Sequence, residues 1–337
     1  GMIPAMVAKG YAGPVYCTGA THRLCNIMLQ DSAHIQEQEA EWQNRKAERS
    51  GYQQYVPVYT VADALESLKL FEGHGYNKPI EIFEGVTINF CDAGHLLGSS
   101  SIHITVNENG EERTVLFSGD LGNIDRPLIR NPQNPPYADY VVIESTYGDR
   151  VHGERPDYIA QLTKIMQETF SKGGNLVIPS FAIGRTQELL YLFRTIKEQG
   201  LVKGHENFIV YVDSPLAVEA TKIYQDNLMG YYDEETLALV KQGINPISFP
   251  GLRLSVTSEE SKAINFDLIP KVIISASGMC EAGRIRHHLK HNLWRENSTI
   301  LFVGYQAEGT FGRKLINGAK NVSLFGESIQ VNARIES

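Results

Sequence analysis

Cysteine is scarce in this chain and carries no pattern: Cys17, Cys25, Cys91 and Cys280 form no CxxC pair. That excludes a disulfide framework and a zinc ribbon, and makes a reducing, cytoplasmic compartment the default expectation. No apolar run approaches the roughly 18–20 residues of a membrane span, and no signal-peptide pattern opens the chain, so no membrane partner is expected. GxGxxG and Walker loops are missing, which disfavours dinucleotide and P-loop chemistry. A GxSxG elbow is missing too, since Ser277 sits in Ala276-Ser-Gly-Met279. Positive charge is short: 31 Lys and Arg against 39 Asp and Glu give a net charge of −8. A surface coated for phosphate is excluded by that balance, whereas a local basic groove is not. What remains is a globular composition, 42% hydrophobic over 337 residues, enough for two domains or for one with an insertion.

Two textures follow one another. Up to about Glu144, helical stretches (Thr18–Ser50, charged from Gln36 to Arg49, and Thr60–Phe71) precede strand-like runs. Those runs are Pro79–Phe83, Val86–Cys91, Ser101–Val106, Thr114–Phe117 and Tyr140–Ile143, with a hairpin turn at Asn107–Glu111 that gives Gly110 the positive φ. From Pro156 short apolar strands (Leu176–Ile178, Phe208–Val212, Val272–Ile274, Ile300–Val303) alternate with amphipathic helices. Such alternation predicts a parallel sheet with helices on its faces. After Lys320 strand texture returns around Gly326. The predicted architecture is an α/β body, interrupted near residue 150 by a second α/β domain and re-entered near residue 300.

Polar clusters sit just past the carboxyl ends of these strands. They are Asp92-Ala-Gly-His95 with Gly98-Ser-Ser-Ser101, Ser118-Gly-Asp120-Leu-Gly-Asn123, Glu144-Ser-Thr-Tyr-Gly148, Ser180-Phe-Ala-Ile-Gly-Arg185, Asp213-Ser214, Ser275-Ala-Ser-Gly278 and Gln306-Ala-Glu-Gly-Thr310. Ligands of α/β proteins bind at such edges, where loops and helix amino termini converge. Asp213 and Ser214 read mainly as helix caps. His95 and Asp120 are good zinc or manganese donors, but two donors are not a site. His287, His288 and His291 share a helix with Arg284, Arg286 and Lys290, a pattern that reads as a phosphate-facing surface before it reads as a chelate. Arg185, Arg284, Arg286, Arg313 and Lys314 could form a basic strip on an otherwise acidic protein, with a solvated helix face as the plainer account.

These motifs together resemble a known family along the whole chain. Asp92-Ala-Gly-His95-Leu-Leu-Gly-Ser, Ser118-Gly-Asp120-Leu-Gly and Glu144-Ser-Thr-Tyr-Gly are similar to motifs of the metallo-β-lactamase superfamily and its β-CASP branch. Ile178-Pro-Ser-Phe-Ala-Ile-Gly-Arg185, Asp213-Ser-Pro-Leu-Ala, Ser275-Ala-Ser-Gly-Met and Glu308-Gly-Thr resemble the β-CASP insert. The branch includes the polyadenylation endonuclease and bacterial and archaeal ribonucleases.

The resemblance implies an αββα sandwich, incomplete here, spanning 1–151 and 300–337, with a parallel α/β β-CASP domain over 152–299. It implies two zinc ions and a bridging hydroxide that attacks an RNA phosphodiester in a cleft between the domains. On that carry-over His95 ligates one metal, Asp120 bridges both, and Glu144 orients a neighbouring histidine or the attacking group. Ser180, Arg185, Ser275, Ser277 and Thr310 would contact backbone phosphates of single-stranded RNA, and Arg284 and Lys314 of the basic strip are further candidates for them.

The family's His-x-His-x-Asp-His motif is not in this sequence. Its place would be immediately before Gly1, and the last metal histidine would follow Ser337. Lys314 stands where the eukaryotic branch has a histidine. The expectation is therefore a fragment of a di-zinc ribonuclease, inactive by itself, with an exposed sheet edge that allows a homodimer. A non-catalytic RNA-binding scaffold and a metal-dependent small-molecule hydrolase are the competing readings.

Overall fold

In the strand-like runs of the first half, apolar and polar residues alternate with the period that buries one sheet face. In the computed structural model, which describes residues 1–47, 54–149, 156–226 and 230–337, these runs form a five-stranded sheet. Its strands are β3 (Ile80–Phe83), β4 (Val86–Asp92), β5 (Ser100–Glu108), β6 (Glu111–Phe117) and β7 (Tyr140–Val142), in that order across the sheet. Pairing is antiparallel from β3 to β6, and β7 joins β6 in parallel. The β5–β6 turn is made by Asn109 and Gly110, with φ of 53° and 81°. Both central residues of this hairpin turn are left-handed, one more than the sequence pattern assigns.

The helices of this half have their own small core. They are α1 (Ile3–Ala8), α2 (Gly19–Ala47) and α3 (Val61–Leu68). Thr60 caps α3 reciprocally with Asp63, which fixes its start. Ala5, Leu29, Ala33, Tyr59, Ala64 and Phe71 pack together beneath the helices. Two short strands there, β1 (Val15–Thr18) and β2 (Phe71–His74), pair in parallel. Phe71 thus begins a strand where the sequence reading ended a helix.

The second half is built on a six-stranded, all-parallel sheet in the order β10-β9-β11-β8-β12-β15. Its strands are β8 (Leu176–Pro179), β9 (Ile209–Asp213), β10 (Leu252–Ser255), β11 (Lys271–Ser275), β12 (Thr299–Leu301) and β15 (Arg334–Glu336). Helices α4 (Tyr158–Ser171), α5 (Arg185–Glu198), α6 (Pro215–Gln225), α7 (Glu234–Lys241), α8 (Ser258–Phe266), α9 (Ile285–Asn292) and α10 (Phe311–Ile316) intervene, with the hairpin β13 (Asn321–Leu324) and β14 (Glu327–Gln330) near the end. Leu176, Val177, Ile178, Val272 and Ile273 have no exposed surface, as strands covered on both faces require.

By contacts the chain divides into residues 1–149 with 230–233, and 150–229 with 234–337. One expectation is corrected by this division. The resemblance assigns residues 300–337 to the first domain, whereas β12 hydrogen-bonds to β8 and β15 to β12, so this stretch completes the second unit's sheet. Ile300 is fully buried there beside Val177, and a strand this apolar is stable only inside a covered sheet. The expected boundary at 151/152 lies outside the described residues, as does His152. No described helix is long and apolar enough to cross a membrane.

Candidate functional site

Strands β4 and β6 each run antiparallel to β5, and β7 runs parallel to β6, so all three end at one edge of the sheet. His95, Asp120 and Glu144 follow those three strands, and the structure brings them together. His95 Nε2 lies 4.0 Å from Asp120 Oδ2. Glu144 accepts hydrogen bonds from the Leu121 amide at 3.2 Å and the Thr146 amide at 3.2 Å. The Thr146 and Leu121 hydrogen bonds hold its carboxyl below the usual carboxylate range. Glu144 therefore braces the loop that carries Asp120.

The His95 turn is fixed from several sides. Asp92 Oδ1 accepts from the Gly94 amide at 3.0 Å, and Ser99 Oγ accepts from the His95 and Leu96 amides, both at 3.0 Å. Arg126 donates to the His95 carbonyl at 3.0 Å. Gly94 has φ +59°, and a Cβ there would meet Pro132 N at 2.5 Å, so only glycine fits. Gly122, from the Asp120 loop, packs so tightly that its Cβ would lie 1.7 Å from the Gly94 carbonyl oxygen. These glycines let the two loops touch, which is what sets His95 against Asp120.

An imidazole nitrogen and a carboxylate facing each other suit a transition metal or zinc. Among the described residues, no group of three or more His, Cys, Asp or Glu side chains could hold a metal ion. The pair fits a share of a metal site and does not complete one; further donors would have to come from outside the described residues.

In the second unit the residues assigned to phosphate fall into two sets. Several are already committed to the fold. Ser180, 1% exposed, accepts from Thr186 Oγ1 at 3.1 Å, and Ser275, also 1% exposed, donates to the Asp213 carbonyl at 2.7 Å. Thr310 caps α10, accepting from the Arg313 amide at 3.2 Å. Arg284 donates to Asp213 Oδ1 at 2.8 Å and to the Val256 carbonyl at 2.5 Å. Others face outward or lack a partner. Arg185 begins α5, pairs with Glu188 at 2.8 Å and keeps a half-exposed side chain. Lys314 is exposed on α10. Ser277 Oγ is buried with no hydrogen-bond partner among the described residues.

The group that sequence reasoning missed is centred on Asp213. This carboxylate has no exposed surface and accepts from Ser261 Oγ at 2.5 Å, His288 Nε2 at 2.6 Å and Arg284 Nη1 at 2.8 Å. Burial alone would raise its pKa; hydrogen bonds from His288 and Ser261, then the charge of His288 and the Arg284 bond, win and bring it to about 2. His288 turns inward, its Nδ1 2.9 Å from Asn265 Oδ1, instead of lining a phosphate-facing surface. On the same helix His287 stacks on Phe325 at 4.4 Å and Arg286 lies over that ring at 5.2 Å. The available signal was an Asp directly after a fully apolar strand, which predicts burial as readily as capping.

The chain is thus an α/β protein of two units, one on a five-stranded sheet with His95, Asp120 and Glu144 at one edge and one on a six-stranded parallel sheet. The chain belongs to the β-CASP family of metallo-β-lactamase-fold, RNA-processing nucleases. Residues 186–315 match the Beta-Casp domain. The whole chain is 35% identical, over 344 residues, to Ribonuclease TTHA0252 of Thermus thermophilus and covers 72% of that protein. It is 32% identical to Transcription termination factor FttA of Methanocaldococcus jannaschii, over 99% of this chain and 51% of that one. An RNase J-like protein of the same archaeon is 28% identical over 95% of this chain and 68% of its own length. The chain thus spans about half the length of the termination factor it matches.

Proposed function

We propose that this chain forms part of a metal-dependent phosphodiesterase acting on single-stranded RNA. The observation that carries the reading is the His95–Asp120 pair, 4.0 Å apart at the shared carboxyl edge of β4 and β6. His95 and Asp120 would supply two donors to zinc, and a zinc bound there contributes Lewis acidity toward a phosphodiester. Glu144 holds the Asp120 loop in register through the Leu121 amide. Lys314, exposed on α10, and Arg185, half-exposed beside Glu188, are the groups suited to RNA phosphates, and Ser277, whose hydroxyl is buried without a partner among the described residues, would join them only once uncovered. Arg284, Ser180, Ser275 and Thr310 shape the loops around them. With two donors among the described residues, the chain by itself is expected to hold no tight dinuclear centre and not to turn over.

Metal analysis of the purified 337-residue chain, paired with cleavage of a fluorescent single-stranded RNA, tests this. Substoichiometric zinc and no cleavage, with RNA still bound in a salt-dependent way, are expected. Two tightly held zinc ions with robust cleavage would overturn the inactivity of the chain, and absence of RNA binding would overturn the substrate.

A further inference from the structure

We propose that residues 230–233, which lie within the stretch matching the Beta-Casp domain, act as a strap that positions the His95 turn through Arg130 and Asp92. By contacts this segment belongs to the first unit, although it follows α6 of the second. Tyr232 is 2% exposed and pairs with Ile129 as an antiparallel bridge. The Asp233 amide donates to the Leu128 carbonyl at 3.1 Å, and the Arg130 amide to the Tyr231 carbonyl at 3.2 Å. The Tyr231 hydroxyl accepts from the Ala20 amide at 3.1 Å, and its ring meets Tyr76 edge-on at 5.3 Å.

Arg130 links this strap to the turn. Its guanidinium donates to the Gly230 carbonyl, lies 5.7 Å from the centre of the Tyr76 ring, and places Nε 3.5 Å from Asp92 Oδ2. The Asp92 side chain is 5% exposed, so its charge depends on the Gly94 amide it accepts from, on Arg130 and on the Tyr76 hydroxyl beside it. Its backbone carbonyl accepts from Gln133 at 2.8 Å, tying the same residue to the 128–133 loop. A guanidinium held by the strap on one side and by Asp92 on the other fixes where Asp92 sits. Asp92 in turn fixes the Gly94 amide, one residue before His95. Loss of the strap leaves Arg130 free to swing toward water and Asp92 buried without its cation.

Arg130 and Tyr231 are thus positioning residues for His95. Their bearing on function rests on His95 being a site residue, but the test does not require activity. Hydrogen exchange on the full 337-residue chain, together with histidine-selective NMR in which His95→Gln assigns the His95 ring, reads the coupling. In Arg130→Ala and Tyr231→Ala we expect exchange over residues 92–99 to accelerate at least tenfold and the His95 ring resonances to shift. The β5–β6 hairpin should stay protected in both. Arg130→Lys, which keeps the charge but gathers its donors on one nitrogen and loses the guanidinium fork, should restore part of the protection and of the ring signal. Release of 230–233 with unchanged exchange at 92–99 and an unmoved His95 ring would overturn the proposal, whatever RNA assays show. So would a uniform loss of protection throughout the unit, or an Arg130→Lys variant no better than Arg130→Ala.

Discussion

Replacing Asp213 by asparagine tests how the second unit is held together. The carboxylate accepts three hydrogen bonds, from Ser261, His288 and Arg284, with no contact with water. Asparagine keeps the shape but offers one acceptor oxygen, so its amide NH2 must face a donor on one side or the other. Breaking a buried, hydrogen-bonded charge pair costs about 3–5 kcal/mol, and that is the loss expected at neutral pH. Part of it is titratable. The folded pKa of about 2 lies below the unfolded value of 3.8, so the carboxylate's contribution is complete above about pH 4. It fades as pH falls through about 2, and at about 1.4 kcal/mol per pH unit it amounts to about 2 kcal/mol. The chain has two tryptophans, so Trp294 fluorescence in a Trp42→Phe background reports on the second unit alone during urea unfolding. The wild type should lose about 2 kcal/mol more than Asp213→Asn between pH 5 and pH 2. A variant within about 0.5 kcal/mol of wild type at pH 7, or one with the same acid slope, would refute the account of Asp213 as the hub.

Further expectations concern packing and capping. Gly122→Ala should cost about 1–3 kcal/mol or more and speed exchange at Gly94 and His95, because its Cβ would fall 1.7 Å from the Gly94 carbonyl oxygen; thermal unfolding and hydrogen exchange read both. Leu190→Ala, at a site with no exposed surface on α5, should lower second-unit stability by about 2–5 kcal/mol in urea. Thr257→Ala removes the reciprocal cap with Glu260 at the start of α8 and should cost about 0.5–2 kcal/mol, partly recovered by Thr257→Ser.

The β-strands were legible where periodicity or apolarity ran for four or more residues. Val86–Asp92, Lys271–Ser275 and the Phe311–Ile316 helix fall close to where pattern places them. What stayed hidden is short or non-local. Phe71-Glu-Gly-His74 carries no strand pattern and is a strand only because Val15–Thr18 supplies its partner. Residues 300–337 look like a return to the first domain, since the strand texture of Ile300 and Ile335 does not say which sheet will take them. In the site, glycine-bracketed His95 and Asp120 stood out because tight loops need glycine. The inward turn of His288 did not, because three histidines on one helix look alike until the tertiary fold turns one of them toward Asp213.

The Asp213 hub also changes what can be asked of the basic residues. Arg284 and Arg185 were equivalent candidates for RNA phosphates, and the structure separates them by what each already holds. Arg284 would have to leave a buried carboxylate to reach a phosphate, whereas the half-exposed head of Arg185 pairs, among the described residues, with the carboxylate of Glu188. An Arg lost from a single-strand phosphate contact flattens the slope of log affinity against log salt by about 0.7. Arg185→Ala should therefore weaken RNA binding with about that change in slope and little effect on second-unit unfolding. Arg284→Ala should lower the urea midpoint first, with RNA affinity following only as the unit unfolds. If Arg284→Ala instead flattens the slope by one contact and leaves the urea midpoint in place, its guanidinium faces RNA and not Asp213.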